Sequence, residues 1–269
     1  MNQNIKFIVF VIVIIFSLVI LISLLQEQKK CPVCISSKIC EACPSCQTCP
    51  IYSACENDLP PDLSKGQITM DTGFGKKLFE LAKQNDVKMF LELGTWYGAG
   101  SSLCIAKGME NPTFKNNKIL YTIEIYEPAW LHARKVLRKY PVRCILGGTV
   151  PISGYLRPEE MTQEERSNEH YRLYYERDIQ LAKYYEPMLE ILCKNHDFDA
   201  VLIDGNEYTG WAEFVMIRDI CDPKYIALHD MGTLKTKKIE HWMNTNKDKW
   251  KNIEKGSDRG SEWGIFQKI

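Results

Sequence analysis

Residues 91–102 read LELGTWYGAGSS, an apolar run that leads directly into a turn containing three glycines. Glycine adopts backbone conformations that other residues avoid, so Gly94, Gly98 and Gly100 permit a sharp turn and a close approach of the backbone to a ligand. In open α/β sheets, ligands bind at the carboxyl ends of the strands. The spacing G-x-x-x-G-x-G differs from the dinucleotide pattern G-x-G-x-x-G, so the turn alone indicates a ligand site without identifying the ligand.

Outward from this turn, apolar runs of strand length alternate with amphipathic stretches. Strands are predicted at 87–94, 119–128, 142–148, 198–205 and 224–230. Helices are predicted at 74–85, 103–109, 129–139 and 209–220. This alternation is typical of a parallel sheet with crossover helices, and the tail from residue 250 adds two strands joined by a Gly/Ser/Asp turn. We therefore predict an α/β fold with a Rossmann-like, mostly parallel sheet and a C-terminal antiparallel hairpin.

Composition divides the 269-residue chain into three unlike pieces. Lys and Arg number 34, as do Asp and Glu, so the net charge is zero, which argues against a broad basic surface for nucleic acid. Seven of the eleven cysteines lie between residues 31 and 55. We predict a membrane anchor at 1–30, a cysteine-rich stalk and linker at 31–66, and an α/β domain at 67–269.

The N-terminal piece is predicted to cross a membrane once, with lipid as its partner. Residues 7–25 carry no charged side chain, and as a helix they would span roughly 28 Å, close to the ~30 Å hydrocarbon core. The run is longer than the apolar core of a signal peptide, and no A-x-A-like cleavage site follows it. The lysines on its two flanks lean slightly towards a cytosolic domain and leave the side of the membrane open.

The stalk has the pattern C-x2-C-x5-C-x2-C-x2-C-x2-C-x5-C over residues 31–55. A segment this small, with few apolar residues, needs cross-links or metal to hold a shape. One interpretation is disulfides, including bonds between chains that would make a homo-oligomer. Zinc thiolate sites and a flexible stalk with reduced thiols are the others, and the sequence does not choose between them.

Acidic residues end three of the predicted strands. Glu124 ends the second strand, where an acid can accept hydrogen bonds from both hydroxyls of a ribose. Asp204 and Asp230 end two further strands, and paired carboxylates there can share a divalent cation such as Mg²⁺, which would lower the pKa of a substrate hydroxyl. His229, next to Asp230, is an alternative general base.

The segments LELGTWYGAGSS, YTIEIYEPAWLHARKVL, FDAVLIDGNEY and IALHD together resemble the class I S-adenosylmethionine-dependent methyltransferases. The likeness covers residues 72–269 and is closest to the small-molecule, catechol-type O-methyltransferases. It implies S-adenosylmethionine as the cofactor and the hydroxyl of a small molecule or glycan as the methyl acceptor. The implied cofactor site consists of Glu92, Gly94, Trp96, Tyr97, Gly98, Glu124 and Thr149. The candidate catalytic residues are Asp204, Glu207, His229 and Asp230, and Asp204 and Asp230 are the candidate metal ligands.

Two positions depart from the pattern of the metal-dependent relatives. Met231 follows the fifth-strand acid where those relatives have Asn, and Glu207 stands where they have a lysine base. The metal and the base therefore stay open, with His229, Asn206 and Glu207 as possible replacements. Residues 157–190, rich in acids and tyrosines, are predicted to form either a solvated helical face or a lid over the substrate.

Two functions from other classes remain open on the sequence alone. A catalytically inactive domain of this fold would bind the cofactor and use the stalk to assemble complexes. A type II-like glycosyltransferase would also combine an anchor, a stalk and an α/β domain. It would need a nucleotide-sugar site with an Asp-x-Asp acid pair.

Overall fold

The computed structural model describes residues 66–110 and 118–269. The predicted anchor helix at 7–25 and the cysteines of the predicted stalk lie outside these residues. Within the described part of the chain, no helix is both long enough and apolar enough to cross a membrane. The single-pass anchor, its lipid contact and a homo-oligomer linked through the stalk therefore stay predictions.

A seven-stranded sheet organises the described chain, in the spatial order β3-β2-β1-β4-β5-β7-β6. Its strands are β1 (Met89–Leu93), β2 (Ile119–Glu124), β3 (Val142–Leu146), β4 (Ala200–Ile203), β5 (Tyr225–Met231), β6 (Trp250–Asp258) and β7 (Ser261–Lys268). β1 to β5 run parallel, and β7 lies antiparallel between β5 and β6. The predicted mostly parallel sheet and its antiparallel hairpin are confirmed. Because β2 and β4 lie on opposite sides of β1, the strand order reverses there, and such a switch point forms a natural crevice.

Helices cover both faces of the sheet. They are α1 (Gly73–Lys83), α2 (Ser101–Met109), α3 (Glu127–Leu137), α4 (Gln163–Ser167), α5 (Glu169–Leu181), α6 (Met188–Asn195), α7 (Gly210–Met216) and α8 (Lys237–Thr245). Side chains of α1, α2 and α3 form one buried cluster with Phe90, and those of α6, α7 and α8 form another with Leu91 and Leu93. Successive residues of β1 thus face opposite layers, as the two-residue period of a strand requires.

The helix boundaries follow local signals in the sequence. Thr72 caps α1, because its Oγ1 accepts a hydrogen bond from the N–H of Gly75 at 3.1 Å. α3 begins at Glu127, two residues earlier than predicted, because Pro128 fits the first turn of a helix. α7 is shorter than predicted and passes into a π-helical turn, Ile217–Cys221.

A disulfide links two of the helices. Cys193 of α6 is bonded to Cys221, at the π-helical end of α7, across 28 residues of sequence. The sequence did not predict this bond, because the two cysteines lie in different elements and share no recognisable spacing. Elsewhere in the described residues, Cys104 and Cys144 are free thiols.

Candidate active site

A cavity of about 520 Å³ opens at the carboxyl ends of β1, β2, β4 and β5. Its volume falls within the range of small-molecule sites in proteins. The sequence-predicted site residues that line it are Gly94, Trp96, Glu124, Thr149, Asp204, Glu207, His229 and Asp230. The fold thus brings candidate cofactor and catalytic residues to one cavity.

The glycine turn after β1 is shaped by close backbone contacts. Gly94 has φ +91°, and a Cβ there would collide with the carbonyl oxygen of Asp204 at the end of β4. Glycine therefore lets the ends of β1 and β4 approach closely. Gly98 has φ +77°, and a Cβ there would lie 2.8 Å from the Cα and Cβ of Ala133 in α3. Gly98 was predicted to contact a cofactor, but the structure places it against α3 and not among the residues that line the cavity.

Glu124, at the end of β2, has a carboxylate fixed by backbone groups. Its Oε2 accepts a hydrogen bond from the N–H of Trp96 at 2.7 Å, and its Oε1 accepts one from the N–H of Tyr126 at 2.9 Å. Burial raises the pKa of Glu124 to about 7, against the opposing effect of these two donors. A carboxylate oxygen can accept more than one hydrogen bond, so Glu124 can still receive ligand hydroxyls in the cavity.

Glu92, in β1, is more deeply buried than Glu124 and lies behind the turn. Its Oε2 accepts hydrogen bonds from Ser102 Oγ at 2.5 Å and from Thr122 Oγ1 at 2.7 Å. Burial raises the pKa of Glu92 to about 7, and its Oε1 has no hydrogen-bond partner within the described residues. Because Glu92 does not line the cavity, the geometry assigns it to joining β1, β2 and α2 instead of the predicted cofactor contact.

Tyr97 packs against α3 and does not line the cavity. Its ring packs edge-on against His132, with 5.5 Å between the ring centroids, and its carbonyl oxygen lies 2.9 Å from His132 Nδ1. Burial raises the pKa of the Tyr97 hydroxyl to about 12. Of the two aromatic residues predicted at the cofactor, Trp96 lines the cavity and Tyr97 supports the turn from behind.

The two strand-end aspartates converge on a lysine. Lys235 Nζ donates hydrogen bonds to Asp204 Oδ1 at 3.0 Å and to Asp230 Oδ2 at 2.9 Å. His229 Nδ1 lies 3.0 Å from the same oxygen of Asp204 and 3.3 Å from Asp230 Oδ2. Lys235 is 2% exposed. Sequence reasoning missed it, because it lies within the loop between β5 and α8 and not at the end of the strand itself.

These four groups set one another's protonation. Burial alone would raise the pKa values of Asp204 and Asp230, but Lys235 and His229 hold both below their usual range. Burial alone would lower the pKa of His229, yet the two carboxylates raise it to about 9. The same carboxylates raise the pKa of Lys235 against the effect of burial. At neutral pH the cluster therefore contains two carboxylates and two cations.

A local irregularity of the sheet directs Asp230 towards this cluster. The pairing of β5 with β7 shifts between His229 and Met231, and Asp230 has φ +55°. Bulges of this kind re-aim a side chain and are frequent next to active sites. Ser261, at the start of β7, donates a hydrogen bond to Asp230 Oδ1 at 2.5 Å. The C-terminal hairpin thereby helps to fix the carboxylate.

The predicted metal site at Asp204 and Asp230 does not fit a divalent cation as the side chains stand. One ligand atom from each of Asp204, His229 and Asp230 lies within 4.8 Å of the others, a spacing that a metal could use. However, the ammonium of Lys235 already contacts both carboxylates. A metal ion would have to displace this ammonium.

Asn206 and Glu207, the suggested replacements, have different roles. Asn206 Oδ1 accepts hydrogen bonds from the N–H groups of Tyr208 at 2.9 Å and Thr209 at 3.1 Å, so it stabilises the turn that leads from β4 into α7. Glu207 lines the cavity, and its Oε2 accepts a hydrogen bond from the N–H of Lys235 at 3.1 Å. Glu207 is therefore a carboxylate beside the aspartate–lysine cluster.

Glu213, in α7, is a buried acid that sequence reasoning also missed. Its Oε1 accepts hydrogen bonds from Thr149 Oγ1 at 2.5 Å and from Thr209 Oγ1 at 2.7 Å. Burial raises the pKa of Glu213, and its Oε2 has no hydrogen-bond partner within the described residues although Glu213 lines the cavity. The one signal in the sequence was an acid within the largely apolar stretch GWAEFVM.

Helix α5 contributes residues that cover the cavity. Tyr174, Arg177 and Asp178 line it, with Arg177 Nη2 2.7 Å from Asp178 Oδ1 and its guanidinium 4.6 Å from the centre of the Tyr174 ring. Tyr184, by contrast, is 61% exposed. The segment at 157–190 therefore borders the cavity on one side and is solvent-exposed on the other, and a role as a lid over a substrate stays a prediction.

The chain contains one Asp-x-Asp triplet, Asp197-Phe198-Asp199. It lies at the amino end of β4, so it is at the opposite end of the strands from the cavity. Asp199 Oδ2 accepts hydrogen bonds from the N–H groups of Lys88 at 2.7 Å and Met89 at 2.9 Å, which joins β4 to the start of β1. This acid pair gives no support to the glycosyltransferase alternative.

No family model and no curated protein matches this sequence. The fold is similar to that of cofactor-bound Rv0187 from MTB, at 15% identity and a TM-score of 0.51, over 82% of this chain and 90% of that one. It is also similar to TomG, an O-methyltransferase from Streptomyces achromogenes involved in tomaymycin synthesis and solved with SAM (17% identity, TM-score 0.48, 83% and 91% covered). A third likeness is to an O-methyltransferase from Bacillus cereus solved with SAH (15% identity, TM-score 0.43, 81% and 87% covered). At this level of identity the likeness to Rv0187 bears on the fold alone, and it agrees with the α/β fold predicted from the sequence.

Proposed function

We propose that this chain binds S-adenosylmethionine in the cavity and transfers its methyl group to a hydroxyl of a small molecule or glycan. The observation that carries the proposal is Glu124. Its carboxylate stands at the carboxyl end of β2, beside the glycine turn, with both oxygens oriented by backbone N–H groups. A carboxylate in this place is suited to accept hydrogen bonds from the two hydroxyls of a ribose.

Other groups of the cavity support a bound nucleoside. The close approach at Gly94 leaves the end of β1 without a side chain, and Trp96 lines the cavity next to this turn. Glu213 Oε2 is a buried polar atom that the described residues leave unsatisfied. Buried polar groups are normally hydrogen-bonded, so this atom favours a ligand with a polar edge.

S-Adenosylmethionine supplies a methyl group already activated by a sulfonium, and the electron pair of the breaking C–S bond stays on the sulfur. The acceptor oxygen forms the new C–O bond with its own lone pair and releases its proton. We assign Glu207 to take this proton, because it lines the cavity beside Lys235. The remaining work of the chain is to hold the acceptor in line with the methyl group, with α5 covering the cavity.

Calorimetry on the full chain in detergent tests the cofactor site, with S-adenosylhomocysteine as the probe. We expect the wild-type chain to bind it and Glu124→Ala to lose this binding. Glu110→Ala removes an exposed acid at the end of α2 and should bind as the wild type does. Absence of heat with the wild type, or equal binding by Glu124→Ala, would contradict the proposal. Binding without transfer of a labelled methyl group to any acceptor would favour the inactive alternative.

We also propose that the domain faces an oxidising compartment, tethered by the N-terminal helix. The supporting observation is the Cys193–Cys221 bond, because disulfides persist in secretory lumens and outside cells and are rare in the cytosol. Alkylation of the full chain before and after reduction tests the Cys193–Cys221 bond on which this proposal rests. Both cysteines should react only after reduction, whereas Cys104 and Cys144 should react in denaturant without it. Reaction of Cys193 and Cys221 in the unreduced sample would contradict the proposal.

A further inference from the structure

The place where a metal ion would join Asp204 and Asp230 is taken by a side chain of the protein. The ammonium of Lys235 hydrogen-bonds to one oxygen of each carboxylate, at 3.0 and 2.9 Å. An ammonium is a compact point charge with three donors, so it can bridge two carboxylates as a small cation does. Displacing it would leave a buried cation without its partners, which is strongly unfavourable.

The surrounding backbone fixes Lys235 in this position. Its N–H donates to Glu207 Oε2 at 3.1 Å, and Thr236 Oγ1 donates to the carbonyl oxygen of Asp230 at 2.6 Å. A Cβ on Gly210, the first residue of α7, would collide with the carbonyl oxygen of Lys235 and lie 2.9 Å from its Cγ. The lysine is thus packed at both its backbone and its stem, and it has little room to turn away from the aspartates.

We propose that Lys235 is the permanent cation of this site, so that the chain binds no divalent metal between Asp204 and Asp230. Two of its three N–H donors serve the carboxylates, and its next contact, with the carbonyl oxygen of Gly205, is at the 3.5 Å limit of a hydrogen bond. Lys235 lines the cavity. The third donor is therefore placed to hold the acceptor oxygen, an extension that rests on the proposed methyl transfer. A fixed positive charge there stabilises negative charge that develops on that oxygen.

Binding of Mn²⁺, followed by electron paramagnetic resonance on the full chain, tests the metal part directly. The wild-type chain should show the same Mn²⁺ binding as Asp230→Asn, because neither has a metal site at these residues. Lys235→Ala removes the ammonium and should gain about one bound Mn²⁺ per chain through the freed oxygen ligands. The double variant Lys235→Ala/Asp230→Asn should lose that ion again.

The wild-type comparison decides the proposal even if Lys235→Ala fails to fold. If the wild type binds Mn²⁺ and Asp230→Asn does not, the proposal that Lys235 is the permanent cation of this site is wrong. If Lys235→Ala folds but binds no additional Mn²⁺, the claim that the Lys235 ammonium occupies the place of a metal ion is wrong. Binding of S-adenosylhomocysteine, measured by calorimetry in the presence of a chelator, reports on the proposed function separately. If S-adenosylhomocysteine does not bind, the proposed cofactor site is contradicted, while the Mn²⁺ measurements still test the role of Lys235.

Once an acceptor is found, the acceptor role has its own readout. Methyl transfer by the wild type should be unchanged by a chelator or by added Mg²⁺. Lys235→Met should lower the turnover number and raise the KM for the acceptor while leaving binding of S-adenosylhomocysteine intact. Loss of cofactor binding together with turnover would instead indicate a merely structural lysine.

Discussion

The two halves of the cavity are held together by different kinds of interaction. The half formed by β1 and β2 depends on backbone geometry: Gly94 lets two strand ends meet, and backbone N–H groups orient Glu124. The half formed by β4 and β5 depends on charge, because Asp204 and Asp230 are held together by Lys235. Single substitutions should therefore damage the two halves for different reasons.

The largest effect is expected at Gly94. Gly94→Ala places a Cβ against the carbonyl oxygen of Asp204, and neither backbone can move without separating β1 from β4. We expect a loss of about 4 kcal/mol or more in the free energy of unfolding. Gly260→Ala is the matched control, since Gly260 also has a positive φ (+84°) but nothing within 4 Å of its Cβ position. Gly260→Ala should lower the free energy of unfolding by only about 1–2 kcal/mol. If urea denaturation gives equal losses for the two variants, the strain of a positive φ explains both, and the contact with Asp204 contributes nothing.

The corresponding test of the charged half is Lys235→Met, which keeps the length of the side chain and removes its charge. Asp204 and Asp230 would then face each other with His229 as their remaining cation, and breaking a buried pair costs about 3–5 kcal/mol. Lys237→Met removes the exposed pair with Glu165 and should cost about 1 kcal/mol or less.

Adding Asp230→Asn to Lys235→Met should recover part of the stability, because it removes the negative charge that the loss of Lys235 leaves uncompensated. Urea denaturation of the three variants measures these differences. Equal losses for Lys235→Met and Lys237→Met would show that the cluster contributes no more than a surface ion pair.

The same difference explains what could be predicted from the sequence. The glycine turn and Glu124 could be predicted from local patterns. Once the sheet is recognised, residues that directly follow or end its strands must lie at the carboxyl end of the sheet. Glu92, Tyr97 and Gly98 belong to the same motif but lie behind the cavity. A linear pattern does not say which side of a turn a residue faces, so the positions of these three residues follow only from the folded structure.

Lys235 and Glu213 could not be found in this way. Lys235 reaches Asp204, which lies 31 residues earlier, only because the loop after β5 folds back over the sheet. Glu213 is one acid on a helix and acquires its role from its contact with Thr149, 64 residues earlier. Such partners depend on long-range packing, which is why the sequence did not show that a lysine contacts both predicted metal ligands.

A smaller effect is expected from the disulfide, which lies outside both halves but anchors α7, the helix that follows β4. Replacing Cys193 and Cys221 together by serine should lower the free energy of unfolding by about 2–4 kcal/mol, chiefly because the unfolded chain gains freedom. Reducing agent should destabilise the wild type by a similar amount and leave the double variant unchanged. Cys144→Ser, at a free thiol, serves as the control. A wild type insensitive to reduction would contradict this prediction.

The smallest expected effect separates Glu124 from Glu92, two buried acids whose pKa values burial raises to about 7. Glu124→Gln should weaken binding of S-adenosylhomocysteine by about 1.5–3 kcal/mol, the usual contribution of hydrogen bonds to a charged group. Glu92→Gln should leave it nearly unchanged, because Glu92 does not line the cavity.

The pH dependence of that binding sharpens the distinction between the two acids. A ribose hydroxyl donates to the ionised form of Glu124, so wild-type affinity should fall as pH drops below about 7, by at most about tenfold per unit. Because Gln does not titrate, Glu124→Gln should lose this dependence, whereas Glu92→Gln should retain it. Calorimetry between pH 5.5 and 8.5 measures the affinity of the wild type, Glu124→Gln and Glu92→Gln for S-adenosylhomocysteine. If the dependence instead disappears in Glu92→Gln, the titrating group that controls binding lies behind the turn, and the carboxylate at the end of β2 does not hold the ligand.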